Sequence, residues 1–189
     1  MLDSWLIESI VLIALLILLV AWLFLRIKTR NKSAEQKIQK ILKPHQIDEA
    51  NSILIPDGMG GLIEIERLIK LKQGLLILHQ YSVNGHLFGA EKIEQWTQLV
   101  GGRSYKFANP LTHLLHVQQS LSLLVPKTPI FTHVVFTGHC NFPKGKPDNV
   151  SSLSTLDNDL QPLFKQAALP EQPLQSSWQS LLNIANHHS

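Results

Sequence analysis

Two pairs of polar side chains lie on neighbouring predicted strands and together can form a site for a divalent cation. Glu64 and Glu66 are two residues apart, so both carboxylates project from the same face of a strand. His79 and Tyr81 share a face of the next strand, across a tight turn. The alternative is that the two carboxylates cover a solvated strand face. Spacing alone favours this simpler interpretation.

The other candidate side chains lack the partners that a site requires. His113 and His116 are three residues apart on a predicted helix, but no third metal ligand stands at a recognisable spacing. His139-Cys140 is too short for a zinc motif, and as the only cysteine Cys140 fits a reducing compartment. The glycine-rich stretch 58–61 precedes a strand instead of opening a helix, so it does not predict a phosphate-binding loop.

The N-terminal segment is predicted to be a transmembrane helix. Every residue from Ile10 to Leu25 is apolar, and as a helix Trp5 to Leu25 would extend over about 30 Å. The lack of positive charge in Met1 to Ser4 and the missing small-residue cleavage site disfavour a signal peptide. The basic residues that follow indicate a cytoplasmic domain with the N-terminus outside. We therefore expect a single-pass protein of a bacterial inner membrane, with residues 1–32 as helix and basic flank.

The net charge of +3 is not evenly distributed along the chain. Residues 26–46 contain seven Lys or Arg against one acid, Glu35, which gives +6. Residues 47–189 contain ten Lys or Arg against eleven Asp or Glu, which gives −1. The basic segment is thus assigned to the membrane surface, and composition predicts no basic face for nucleic acid on the domain itself.

The pattern after the flank predicts a mixed α/β domain. Ser33 to Gln36 reads as a capping box that opens a helix, which Pro44 ends. The predicted strands are Ser52 to Ile55, Leu62 to Leu71, Leu75 to Leu78, Leu87 to Phe88 and Ile130 to Thr137. The predicted helices are Leu111 to Leu124, Leu156 to Ala168 and Ser176 to Ala185, after a loop at Pro143 to Ser154.

A series of short motifs in this domain resembles the nuclease-related domain (NERD) family. The motifs are Ile55 to Gly61, Glu64-Ile65-Glu66, Gly85 with Phe88-Gly89, Gln95 to Gln98, Asn109-Pro110-Leu111, Val134-Val135-Phe136 and Phe142 to Gly145. The resemblance covers roughly residues 33–153. It implies a restriction-endonuclease-like fold and a divalent-metal phosphodiesterase site. The expected fold class is therefore α/β, with a single transmembrane helix followed by a mixed sheet flanked by helices and a C-terminal helical segment, 154–189.

The resemblance assigns site roles residue by residue. Glu35 matches an early glutamate, and Glu66 stands where the family usually has aspartate. The family's Glu-x-Lys falls on His79 to Tyr81, so both of its chemical groups are replaced. Glu35, Glu66, His79 and Tyr81 are therefore the predicted catalytic positions, in degenerate form. Glu64, Glu66 and His79 are the predicted metal ligands.

These replacements predict a domain without conventional nuclease activity. We expect it to bind nucleic acid or protein at the cytoplasmic membrane face, without a cofactor. The alternative is an enzyme, a divergent nuclease that uses Mg²⁺ or Mn²⁺ with Glu35, Glu64, Glu66 and His79. Either prediction leaves the oligomeric state open.

Overall fold

The computed structural model describes residues 2–187. The side chains of residues 2–7, 11, 24, 26–28, 30 and 31 lie outside that description. The chain divides into two compact units, residues 1–39 and residues 40–189. The first unit consists of most of one helix, α1 (Leu2–Leu42).

The helix α1 continues through Ser33, where the sequence predicted a new helix to begin. Residues 26–36 include no proline or glycine, so nothing in this stretch interrupts the backbone hydrogen bonds. A capping-box pattern stabilises a helix start only where the preceding residues are not already helical. The helix start predicted at Ser33 is therefore wrong.

Among the described residues, no helix combines the length and the apolar character that crossing a bilayer requires. This finding contradicts the predicted transmembrane helix from Trp5 to Leu25. It also contradicts the predicted single-pass location with the N-terminus outside and the domain in the cytoplasm. The side chains of Trp5, Val11 and Phe24, on which the predicted span depended, lie outside the described ones.

The second unit is built from nine strands and three further helices, counted over the described residues. The strands are β1 (Gln46–Pro56), β2 (Leu62–Leu71), β3 (Gly74–Tyr81), β4 (Gly85–Phe88), β5 (Gln95–Val100), β6 (Arg103–Ala108), β7 (Ile130–Phe136), β8 (Cys140–Asn141) and β9 (Val150–Ser152). The helices are α2 (Pro110–Leu124), α3 (Leu156–Phe164) and α4 (Glu171–His187). The architecture is mixed α/β with two sheets.

The first sheet has the strand order β1-β2-β3-β7-β9. The strands β1, β2 and β3 pair antiparallel, whereas β7 pairs parallel with both β3 and β9. Leu75 to Leu78 are all buried, as expected for a central strand that is covered on both faces. A continuous apolar run thus predicted this strand correctly.

Helices cover both faces of the first sheet. Leu114 and Val117 of α2 pack in one core with Ile77 of β3 and Phe136 of β7. Trp178 of α4 belongs to the same core and is 1% exposed, so the C-terminal helix docks on the domain. Its indole nitrogen donates to the Asp48 carboxylate at 2.8 Å. The buried side chains of α3 cover the other face, beside His133.

The second sheet has the order β6-β5-β4-β8. Trp96 is fully buried and stacks on Phe136 of the first sheet, with ring centroids 6.0 Å apart. A side chain at Gly89 would overlap the Trp96 indole, which explains why glycine follows Phe88. The Trp96 indole nitrogen also donates to the carbonyl of Ala90 at 3.1 Å. Trp96 is thus one of the side chains that hold the second sheet against the first.

Candidate functional site

The candidate site lies where two strands of the first sheet separate. The ladder between β2 and β3 runs from Leu71↔Gly74 to Leu68↔Ile77 and ends there. The strand β3 continues to Tyr81 but pairs only with β7 on its other side, through His79↔Val134 and Tyr81↔Phe136. The backbone edge of β3 beyond Ile77 is therefore available to side chains from β2.

Glu66 occupies this opening. Its Oε2 atom lies 2.8 Å from Nδ1 of His79 and accepts a hydrogen bond from the backbone N–H of Gln80 at 3.2 Å. The hydrogen bond with His79 lowers the pKa of the Glu66 carboxyl, and the Gln80 N–H acts in the same direction against the effect of partial burial. Glu66 is thus an ionised carboxylate whose Oε2 atom accepts from two donors, Nδ1 of His79 and the Gln80 N–H.

Tyr81 lies between the candidate site and the hydrophobic core, in contact with His79 and Phe136. Its ring lies 4.9 Å from the His79 ring, edge to face, and 5.7 Å from the Phe136 ring. Burial, together with the negative charge of Glu66, raises the pKa of the Tyr81 phenol. Tyr81 therefore stays neutral at physiological pH and supplies no positive charge at the position where the sequence resemblance predicted a lysine.

The structure brings a second histidine to the site. His113, in the first turns of α2, lies 5.8 Å from His79 between ring centroids. Burial lowers the pKa of His113, and the nearby His79 and His116 act in the same direction. The sequence pointed to a His113–His116 pair instead. Only the packing of α2 on β3, which no local pattern encodes, brings His113 to His79.

Two further residues, Glu64 and Glu35, were predicted as site residues. Glu64 pairs with Leu54 in the β1–β2 ladder and is exposed, like a solvated strand position. Glu35 belongs to the first unit and is half-buried. Within the described part of the chain, no three His, Cys, Asp or Glu residues form a group able to hold a metal ion. The roles predicted for Glu35, Glu64, Glu66, His79 and Tyr81 remain predictions.

The donor set around Glu66 does not fit Mg²⁺ or Mn²⁺. These hard ions take about six oxygen ligands, usually one or two carboxylates with waters. Here one carboxylate already accepts two hydrogen bonds through a single oxygen, and its neighbours are an imidazole and a phenol. Imidazole nitrogens are better ligands for zinc, copper or nickel.

A second polar cluster, which the sequence did not indicate, lies on the opposite face of the first sheet. Nε2 of the buried His133 lies 2.7 Å from the Ser151 hydroxyl, and this hydroxyl donates to Asp159 at 2.6 Å. Lys146 contacts the same carboxylate oxygen at 2.8 Å. Burial would raise the pKa of Asp159, but the hydrogen bonds from Lys146 and Ser151 outweigh it and lower that pKa. The Ser151 hydroxyl donates its hydrogen bond to Asp159 and not to His133, and Ser151 is fully buried. The cluster therefore does not have the arrangement of a serine nucleophile with a histidine base.

Cys140 has no reactive character in this setting. Burial raises the pKa of its thiol to about 11, so the thiolate is scarce at neutral pH. This agrees with the absence of any motif around Cys140 that would mark a nucleophile.

A family model described as the nuclease-related domain matches residues 30–137, more than half of the chain. The chain belongs to the nuclease-related domain family. As a nuclease-related domain protein it is also similar to an uncharacterized protein of Bacillus anthracis, with 22% identity over 138 residues. That match covers 71% of this chain and 65% of the relative, so the chain spans less than two thirds of the relative's length. The comparison with solved structures gave no match.

Proposed function

We propose that this nuclease-related domain does not hydrolyse phosphodiesters by the conventional metal-dependent mechanism and acts as a binding module. The observation that carries the proposal is the Glu66–His79 contact at 2.8 Å. In a metal-dependent site of this type, the acids on two neighbouring strands bind the ion. In this chain the carboxylate of the first strand instead binds the side chain that replaces the second acid.

The position of the missing lysine supports the same proposal. A lysine orients the attacking water and brings a positive charge close to the scissile phosphate. Tyr81 offers a hydroxyl with a raised pKa, packed against Phe136, and cannot supply that charge. The scaffold around it is nevertheless complete, because β3 keeps its full pairing with β7.

One observation favours an alternative function, a divergent metal-dependent nuclease. The His79 and His113 rings lie edge to face with centroids 5.8 Å apart, and Glu66 contacts Nδ1 of His79 in the manner of a carboxylate that orients a metal-binding histidine. Such a site would take a softer ion than Mg²⁺. This alternative predicts cleavage with Zn²⁺ or Ni²⁺ that is lost in both His79→Ala and His113→Ala.

The test uses the full chain with single- and double-stranded DNA and RNA, incubated with Mg²⁺, Mn²⁺, Zn²⁺ or Ni²⁺. We expect no cleavage above that of a heat-denatured sample. Cleavage by the parent chain that is abolished in Glu66→Ala, and kept in the matched control Glu64→Ala, would overturn the proposal. Cleavage that depends on the two histidines would establish the alternative.

A further inference from the structure

The second sheet leaves one of its faces exposed. Residues directly opposite each other in a ladder project from the same face. The pairings Phe88↔Thr97, Thr97↔Lys106 and His86↔Asn141 therefore place these five side chains on one face, here called the platform face. His86, Lys106 and Asn141 are exposed, and Phe88 and Thr97 are partly exposed. On the opposite face Leu87 and Trp96 are fully buried, whereas Tyr105 at the far end of the same face is 47% exposed.

The charge of the second sheet has one sign. Its four strands carry Arg103 and Lys106 but no aspartate or glutamate, and the ladder places Lys106 on the platform face and Arg103 on the opposite one. The net charge of −1 over residues 47–189 conceals this, because the acids lie outside these four strands, with Glu91 and Glu94 in the loop between β4 and β5. Lysine on a strand face that carries no carboxylate favours the binding of polyanions there.

A rigid turn places another cation over the platform face. The Gly145 N–H donates to the Phe142 carbonyl at 3.1 Å, and the Phe142 ring packs on Phe136 with centroids 5.6 Å apart. The turn between them holds the Lys144 ammonium 6.0 Å from the centroid of the Phe88 ring. Phe88 thus presents a partly exposed aromatic ring with a positive charge over it, so that an aromatic group and an anionic group of one ligand would both find a partner here.

A cleft of about 490 Å³ continues from this point, between residues 89–92 and 144–147. Lys92, Lys144 and Lys146 line it, with Glu91 as its carboxylate. Lys146 is paired with Asp159, so Lys92 and Lys144 are the ammonium groups that an incoming phosphate would meet. Asn109 fixes the first of these loops by donating to the carbonyls of residues 91 and 93, at 2.9 Å each.

We propose that the platform face and this cleft bind single-stranded nucleic acid, with bases stacked on Phe88 and phosphates held by Lys92, Lys106 and Lys144. This deepens the proposed function and rests on it, since it gives the binding module its partner. Sequence-independent single-strand binding combines an aromatic platform with a positive groove. A duplex keeps its base faces inside the stack, so it cannot use Phe88. An acidic protein would satisfy the lysines but would not require the aromatic ring beside them.

The test measures binding of the full chain to a fluorescent oligothymidylate of roughly 16 nucleotides, by fluorescence anisotropy at several salt concentrations. We expect Lys106→Glu and Lys144→Glu each to weaken binding about fivefold or more at low salt. Each should also reduce the slope of log K against log salt by about 0.7. Phe88→Leu should weaken binding about fivefold and leave that slope unchanged, because stacking releases no counterions.

The matched control is Lys165→Glu, the same change of charge at the exposed residue after α3. It should leave the affinity unchanged. Phe88 is partly buried, so weaker binding by Phe88→Leu has to be compared with its melting temperature. Lys106 is exposed, so Lys106→Glu tests the same face without a change in packing. A second probe, a duplex of the same length, should bind more weakly than the single strand.

Each contrary outcome has a distinct meaning. Equal binding by the parent and the platform variants would overturn the placement on the second sheet. Preference for the duplex, or no binding at low salt, would overturn single-stranded nucleic acid as the partner and leave a protein partner for the module. Cleavage of the oligonucleotide by the parent chain would overturn the proposed function instead, and the same variants would then still report where the strand binds.

Discussion

Nδ1 of His79 and Oε2 of Glu66 lie 2.8 Å apart at a point where the backbone ladder between their two strands has already ended. The contact replaces backbone pairing, because the same carboxylate oxygen also accepts the N–H of Gln80. In this contact Nδ1 of His79 is the donor and the Glu66 carboxylate is the acceptor. One carboxylate thus fixes both the orientation of His79 and the edge of β3.

Restoring the family's pair in His79→Glu/Tyr81→Lys tests the assignment of the catalytic positions. The introduced carboxylate would lie beside Glu66, and two adjacent carboxylates repel each other unless a cation lies between them. We expect the melting temperature of the double variant to rise on addition of Mg²⁺ or Mn²⁺, whereas that of the parent does not. Plasmid nicking in the same ions should appear with the double variant and be absent from His79→Glu alone. A folded double variant that shows neither response contradicts the assignment.

Replacing Glu66 by glutamine should reduce stability at neutral pH more than it does in acid. The pKa of Glu66 is lowered in the folded state by His79, so its contribution is present above the unfolded pKa of about 4.5 and is lost as the pH falls through the folded value. The Glu66 side chain is 45% exposed, so we expect a loss of only about 1 kcal/mol at pH 7. Urea unfolding at pH 7 and pH 3 measures it.

The control for this change is Glu64→Gln on the same strand. Its side chain is exposed and lies outside the Glu66–His79 contact, so the free energy of unfolding should change by less than about 0.5 kcal/mol. An equal loss in both variants would mean that charge on β2, and not the contact with His79, is what stabilises the domain.

His133 should make the domain sensitive to mild acid. Burial lowers the pKa of His133 to about 4, while the negative charge of Asp159 partly opposes the shift. The unfolded chain takes up the proton near pH 6.5, so the free energy of unfolding falls as the pH drops from about 6.5 to about 4. The slope that His133 contributes should approach about 1.4 kcal/mol per pH unit.

Thermal or urea unfolding across this pH range measures the slope for the parent and for His133→Gln. We expect the variant to be less stable at pH 7, because its amide fits the contact with Ser151 less well, and to lose this part of the pH dependence. His116→Gln, at an exposed position of α2, is the matched control and should keep the slope of the parent. An unchanged slope in His133→Gln would assign the acid sensitivity to other groups.

Gly89→Ala should strongly destabilise the domain, since the added methyl group would overlap the Trp96 indole. Overpacking of this kind costs about 1–3 kcal/mol, and here the indole is fully buried and stacked on Phe136. Denaturant unfolding of Gly89→Ala, of Trp96→Leu and of the double variant gives the coupling between the two sites. A loss in the double variant that equals the sum of the two single losses would contradict direct contact as the cause.

Several elements of the fold were predictable because each has a strong local pattern. The apolar run Leu75 to Leu78 predicted the central strand, and Pro110 ahead of an apolar stripe predicted α2.

The hairpin of β5 and β6 was missed, although its two strands are joined by Gly101-Gly102, a typical two-residue hairpin signal. Its strands alternate too weakly between apolar and polar residues to stand out without that turn.

The site was only half predictable, for a physical reason. Glu66 and His79 could be matched because a tight turn joins their strands, and the register across such a turn follows from counting residues. His113 and the Ser151–Asp159 pair reach their partners through helix packing and a parallel crossover, which no counting rule predicts. The transmembrane prediction failed differently, since it was made from residue types alone and the described helix contradicts it.

The early end of the β2–β3 ladder has a consequence for how this family can change over evolutionary time. Residues 79–81 keep their ladder with β7 on one side, so only the edge that Glu66 holds depends on the side chains that face the opening. Substitutions there can exchange one chemistry for another at little cost to folding. The same opening is therefore a natural position for selecting or designing new activities, with the neighbouring strand as a fixed support.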